Sequence, residues 1–156
     1  MSIETVRRYL EKWNAHNRIM EFDTSSATVE LAAQAVNCEP ERIAKTLAFK
    51  TKDRIILIVT AGDAKVSNSK FKKKFNYKPK MLTPDELEEL VGHEVGGVCP
   101  FGVKEGVEIY LDISLKRFNT VFPACGSSNS AIEVTLEELE KFSQYKEWID
   151  VCKDWF

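Results

Sequence analysis

The sequence predicts an α+β fold built on a mixed, curved or barrel-like β-sheet flanked by helices. Three observations predict it. Strand-like and helix-like segments interleave without a regular βαβ rhythm, which argues against a doubly wound parallel sheet. The run Ile55-Ile56-Leu57-Ile58-Val59 is continuously apolar, as in a strand covered on both faces. Two Thr-x-x-Glu capping boxes, Thr83 to Glu86 and Thr135 to Glu138, open helices between strand runs. With 156 residues, 44% of them hydrophobic, the chain suits a single domain over 1–156 that buries a substantial core.

Each element follows from local chemistry. Ile3, Val6, Leu10 and Trp13 recur at helical spacing. Residues 19–22 read as a short strand, and the polar turn Asp23-Thr24-Ser25-Ser26 is placed to cap a helix over 28–36. Pro40 opens a brief helical turn. Residues 45–50 and 54–60 are β-prone runs joined at Thr51-Lys52-Asp53, a hairpin. A basic helix is expected over 67–75 and another from Pro84 to near Gly92. Strands follow at 107–111, near 120–122 and at 131–134, before a terminal helix that starts at the second capping box. Trp148, Ile149, Cys152 and Trp155 are expected to pack that helix onto the domain.

The formal net charge of −2 announces no DNA-binding protein, yet its distribution is uneven. Lys65, Lys70, Lys72, Lys73, Lys74, Lys78 and Lys80 share one segment without an acidic residue. Such a patch attracts a polyanion on a protein that is acidic on average, and Lys70, Lys72, Lys73 and Lys74 are its candidate RNA-binding residues. A solvated helix face is the plainer reading of the same lysines. Cys38, Cys99, Cys125 and Cys152 form no C-x-x-C pair and lack zinc-ligand spacing, with His16 and His93 isolated from them in sequence. They read as reduced thiols of a cytoplasmic protein with no metal and no cofactor. No apolar run reaches the ~20 residues that span a bilayer, so no membrane partner is expected.

The segment Gly96-Gly97-Val98-Cys99-Pro100-Phe101-Gly102 concentrates glycine and proline in a stiff loop, whose backbone N–H groups suit a site of negative charge. Together with Lys45-Thr46-Leu47, the turn at Thr24-Ser25, Ala32-Ala33, Leu111-Asp112 and Gly126-Ser127-Ser128, it resembles the YbaK / prolyl-tRNA synthetase-associated domain family over nearly the whole chain. Two positions depart from the relatives: Cys99 stands where many carry serine, and Phe22 where some cysteine-editing members carry tyrosine.

The resemblance implies a free-standing aminoacyl-tRNA deacylase that hydrolyses the ester of mischarged tRNA, of tRNA-Pro or a related tRNA, with a synthetase as a further partner. It implies catalytic roles for Lys45, at the terminal adenosine or its phosphate, and for the loop of Gly96 and Gly97. Phe22, Thr24, Thr46, Val98, Cys99, Pro100, Asp112, Ser127 and Ser128 are its substrate-binding candidates. Oriented N–H groups of Gly96, Gly97 or Cys99 suit an oxyanion. No Ser-His-Asp or Cys-His triad is spelled out, which fits assistance by a substrate hydroxyl. A catalytically silent adaptor that binds tRNA or a synthetase, and a thiol hydrolase using Cys99, are the alternatives.

Overall fold

The computed structural model describes residues 2–155. Helix α1, Ser2–Leu10, buries Val6 and Leu10 completely, and the helical periodicity continues to Trp13 as a tighter 3-10 turn. Asn14, in the left-handed conformation at φ 54°, stops it. After strand β1, Met20–Glu21, the chain enters helix α2, Val29–Val36. Its cap is Thr28, whose hydroxyl accepts from the Leu31 N–H at 3.1 Å, so the polar turn at 23–26 leads to the helix without capping it.

Strands β2, Ile43–Thr51, and β3, Arg54–Ala61, form the expected hairpin, in register from Ala44↔Ala61 to Thr51↔Arg54. The short strand β4, Lys65–Val66, precedes helix α3, Asn68–Phe75, capped by Ser67. Helix α4, Pro84–Glu86, carries both bonds of its capping box and widens into a π turn, Leu87–Val91, that ends at Gly92. Beyond the glycine loop lie β5, Glu108–Asp112, a 3-10 turn Ile113–Arg117, and β6, Thr120–Pro123.

The strand expected at 131–134 is two short strands, β7, Ser130–Ala131, and β8, Val134–Thr135. The first pairs with β1 and the second with β6, so the chain changes partner in the middle of the run. Helix α5, Leu136–Ser143, follows. The tail also corrects expectation. It forms β9, Glu147–Ile149, and β10, Cys152–Lys153, which pair with β5 and β4 instead of merely covering a helix.

The main sheet runs β8-β6-β2-β3-β5-β9 and curls into a half-barrel. The pairs β6–β2, β3–β5 and β5–β9 are parallel; β8–β6 and β2–β3 are antiparallel. Ile56 to Val59 of β3 are all at 0% exposure, which explains their unbroken apolar run. Burying each such side chain contributes about 1.5–3 kcal/mol.

A carboxylate fixes the start of α5. Arg18 donates to both oxygens of Glu138, at 2.7 and 3.0 Å, and the Thr135 N–H donates to Glu138 at 3.0 Å. The arginine hydrogen bond leads in drawing the Glu138 carboxyl down to about 2. Its folded pKa lies below the unfolded value of about 4.3, so its stabilisation is complete above that value and disappears as pH falls toward 2. Both side chains are partly exposed, so the expected loss is about 1 kcal/mol. Urea unfolding across pH 2–5 should show a shallower acid slope in Glu138→Gln; an unchanged slope would remove this clamp from the account.

Candidate active site

The outer edge of β2 changes partner along its length. Ile43 and Ala44 register with Phe122 and Pro123 of β6. Farther on, Lys50 N–H donates to the Lys80 carbonyl at 2.8 Å and Leu82 N–H to the Ala48 carbonyl at 3.1 Å. Residues 45–47 lie between these partners. Alternation along the strand turns the Thr46 N–H and C=O to the same side as those of Ala48 and Lys50, toward the opening.

A cleft of about 250 Å³ occupies this gap. Its floor is Ala44 to Leu47, and one wall is the start of α2, with Thr28, Val29 and Ala32. Gly96, which lies against Ala27, and Val98 line it from the glycine loop, and Phe122, Ala124, Ser130 and Ala131 complete the lining. The lining contains no carboxylate, histidine or thiol.

The walls are laced together by backbone. Phe22 N–H donates to the Asn129 carbonyl at 2.8 Å and Ser26 N–H to the Ser128 carbonyl at 2.6 Å. The Asn129 side-chain amide returns a bond to the Phe22 carbonyl at 3.0 Å. Gly97 lies against the backbone of Gly126 and Ser127 so closely that a Cβ there would stand 2.5 Å from the Gly126 carbonyl carbon. Gly96 turns the loop at φ +87°, a conformation that side chains rarely accept.

Lys45 is half-buried at the cleft and donates to the Gly62 carbonyl at 3.4 Å. Burial lowers its pKa, because a partly desolvated ammonium lacks its hydration. The Thr46 hydroxyl is buried at the cleft without a hydrogen-bond partner among the described residues. An orphaned buried hydroxyl is costly in a finished core, but serviceable where a ligand completes it.

Of the sequence candidates, Lys45, Thr46, Gly96 and Val98 meet here. The others do not. Gly97 has spent its N–H on the Glu94 carbonyl, at 3.0 Å, and faces backbone, so it shapes the loop and offers no oxyanion donor. Cys99 is at 0% exposure in the core, 3.6 Å from His93 Nε2, and burial pushes its thiol up to about 12. It neither lines the cleft nor supplies a thiolate.

Asp112 is also fully buried, accepting from Ser114 N–H at 2.9 Å and Val151 N–H at 3.0 Å, as an internal cap joining the 3-10 turn to the tail. Pro100 borders a separate depression beside Tyr9, and Ser127 another beside Thr5. Phe22, Thr24 and Ser128 belong to the laced loops outside the cleft lining. Lys70 and Lys74 are tied to Asp150 and Glu147, whereas Lys72 and Lys73 are exposed on α3. Sequence reasoning missed Ser26, Ile43, Ala44, Phe122, Ala124 and Ser130 as walls; pairing across distant segments assembles them, and no spacing signals it.

The chain is similar to several known proteins. The uncharacterized protein YwhH of Bacillus subtilis (strain 168) is 57% identical over 156 residues, 99% of each chain. The proline–tRNA ligase of Geobacillus sp. (strain WCH70) is 33% identical over 102 residues, 65% of this chain but only 18% of that protein. A crystal structure of a candidate trans-editing enzyme for prolyl tRNA synthetase superposes with a TM-score of 0.88 at 27% identity, covering 97% of both chains. Residues 23–142, which contain every residue that lines the cleft, match the model of the aminoacyl-tRNA editing domain, and the chain belongs to that family.

Proposed function

We propose that the cleft hydrolyses the ester joining a small amino acid to the 3′-terminal ribose of a mischarged tRNA. The observation that carries this reading is the set Lys45, Thr46, Gly96 and Val98 around a small, mostly apolar cavity in an editing-domain chain. The similarity to proline–tRNA ligase and to a candidate trans-editing enzyme for prolyl tRNA synthetase supports tRNA-Pro as the carrier. Ala27, Ala32, Ala44 and Ala131 leave room for a small acyl side chain next to Val29 and Ile43.

In the reaction, water adds to the ester carbonyl, negative charge develops on its oxygen, and the bond to the ribose oxygen breaks. The Gly96 and Val98 N–H groups, which make no hydrogen bond to the described residues, serve that oxygen. The Thr46 hydroxyl gains the partner it lacks by bonding the aminoacyl or ribose group. Lys45 holds the phosphate or ribose end as a cation, and an anionic ligand offsets the cost of its burial.

The cleft lining contributes no side-chain base, so the neighbouring free ribose hydroxyl orients the water and passes a proton to the departing oxygen. An aminoacyl ester is activated enough for such positioning to suffice. Lys72 and Lys73 add sequence-independent attraction for tRNA phosphates that weakens with salt.

Incubation with alanyl-, cysteinyl- and seryl-tRNA tests the reading. Release of at least one small amino acid well above the spontaneous rate is expected. Binding of tRNA without turnover of any member would establish the adaptor instead.

A further inference from the structure

A second groove adjoins the cleft and shares Thr46, Leu47, Gly96 and Val98 with it. Its volume is about 270 Å³, and its outer wall is formed by Met81, Leu82 and Val95. Met81 and Val95, at 59% and 61% exposure, are the two most exposed large apolar side chains among the described residues, and both line this one groove. Such a patch marks a contact surface.

The Met81 backbone is nevertheless fixed. Its flanking residues exchange hydrogen bonds with Ala48 and Lys50 of β2, and Met81 itself registers with Phe49. An apolar side chain is thus presented to solvent from a backbone held on both sides by hydrogen bonds to β2. Next to it, Lys78 and Lys80 are exposed and enter no ion pair with the described residues.

We propose that this groove holds the 3′-terminal nucleobase of the tRNA, packed on Met81 and Val95, with Lys80 beside the adjoining phosphate. The inference rests on the deacylase reading for its choice of occupant. In an aminoacyl-tRNA the acyl group and the terminal base are attached to one ribose. A cleft that admits the acyl group therefore needs a base site within one sugar's width, and this groove is continuous with the cleft through four shared residues. The remaining requirement is an apolar face for the base, which Met81 and Val95 supply; Lys80, exposed and next to Met81 in the chain though outside the groove lining, is the cation closest in sequence for the phosphate. The thioether of Met81 gives a polarizable contact with an aromatic ring.

The test uses two 5′-fluorescein-labelled ribo-oligonucleotides, one ending in CCA and one with the same backbone but an abasic terminal ribose. Fluorescence anisotropy should show the intact probe binding the wild-type protein about three- to tenfold more tightly. In Met81→Ala/Val95→Ala that advantage should vanish while the abasic probe is held as before. Both side chains are largely exposed, and circular dichroism confirms the fold. Equal binding of the two probes to the wild type, no binding of either, or equal weakening of both in the variant overturns the proposal and leaves the patch to a protein partner. Parallel assays on mischarged tRNA separate the two claims: base-dependent binding without turnover keeps the base site and removes the hydrolase.

Discussion

Lys45→Ala should lower kcat/KM on the mischarged tRNA that the wild type hydrolyses by about a hundredfold or more, the scale of one lost charge-assisted contact in a preorganised site. Stability should barely change. The ammonium is half-buried, it donates to the Gly62 carbonyl at 3.4 Å, and removing it also removes its desolvation cost. Initial rates with thermal unfolding as control decide the matter, and full activity in the variant would take Lys45 out of the site. A pH profile adds an independent sign. The cationic form is the binding form and burial lowers its pKa, so wild-type activity should decline on the alkaline side before an ordinary lysine would lose its proton. Lys45→Arg should push that limb upward.

Gly97→Val should fail for a different reason, by unfolding the wall of the cleft. Its Cβ would meet the Gly126 carbonyl carbon at 2.5 Å, Ser127 N at 2.6 Å and the Gly126 oxygen at 2.7 Å. All three atoms are backbone, so no rotamer change gives relief. The expected loss is at least ~3 kcal/mol, or a fall in Tm on the order of 10 °C. Calorimetry or thermal circular dichroism reads it. Cys99→Ser, in the same loop but outside the cleft, should cost about 1–2 kcal/mol for burying a hydroxyl and leave turnover in place. A stable Gly97→Val protein would show that the two backbones can part without unfolding the wall, and an inactive but folded Cys99→Ser protein would show that the loop acts through the Cys99 thiol.

Legibility in the sequence followed the range of the interactions involved. Thr83 and Thr135 begin their helices where the capping boxes stand, because the two bonds of each box lie within four residues. The continuous apolar run of β3 identified a strand covered on both faces. The glycine loop and Lys45, far apart in the chain, meet at one cleft. By contrast, Glu147–Ile149 is a strand only because β5 lies beside it, and no three-residue window can announce such a partner. Asp112 and Cys99 were legible as residues of chemical promise but not as buried ones. Exposure belongs to the fold, and the same residue types serve equally as internal caps or core filling. The reason for Gly97 changed in the same way, from room for a ligand to contact between two backbones.

The interrupted edge of β2 also bears on solubility. A strand with an open row of hydrogen-bonding groups invites another chain to add itself, the first step toward aggregation. Here β6 covers one end of that row and the segment around Met81 the other, leaving only residues 45–47 uncovered. Three residues are too few to template a foreign strand, which typically runs to about five or six residues. The same opening is wide enough for one small group. The fold can therefore leave a short stretch of sheet open for recognition while offering too little edge at that point for a second strand to add to.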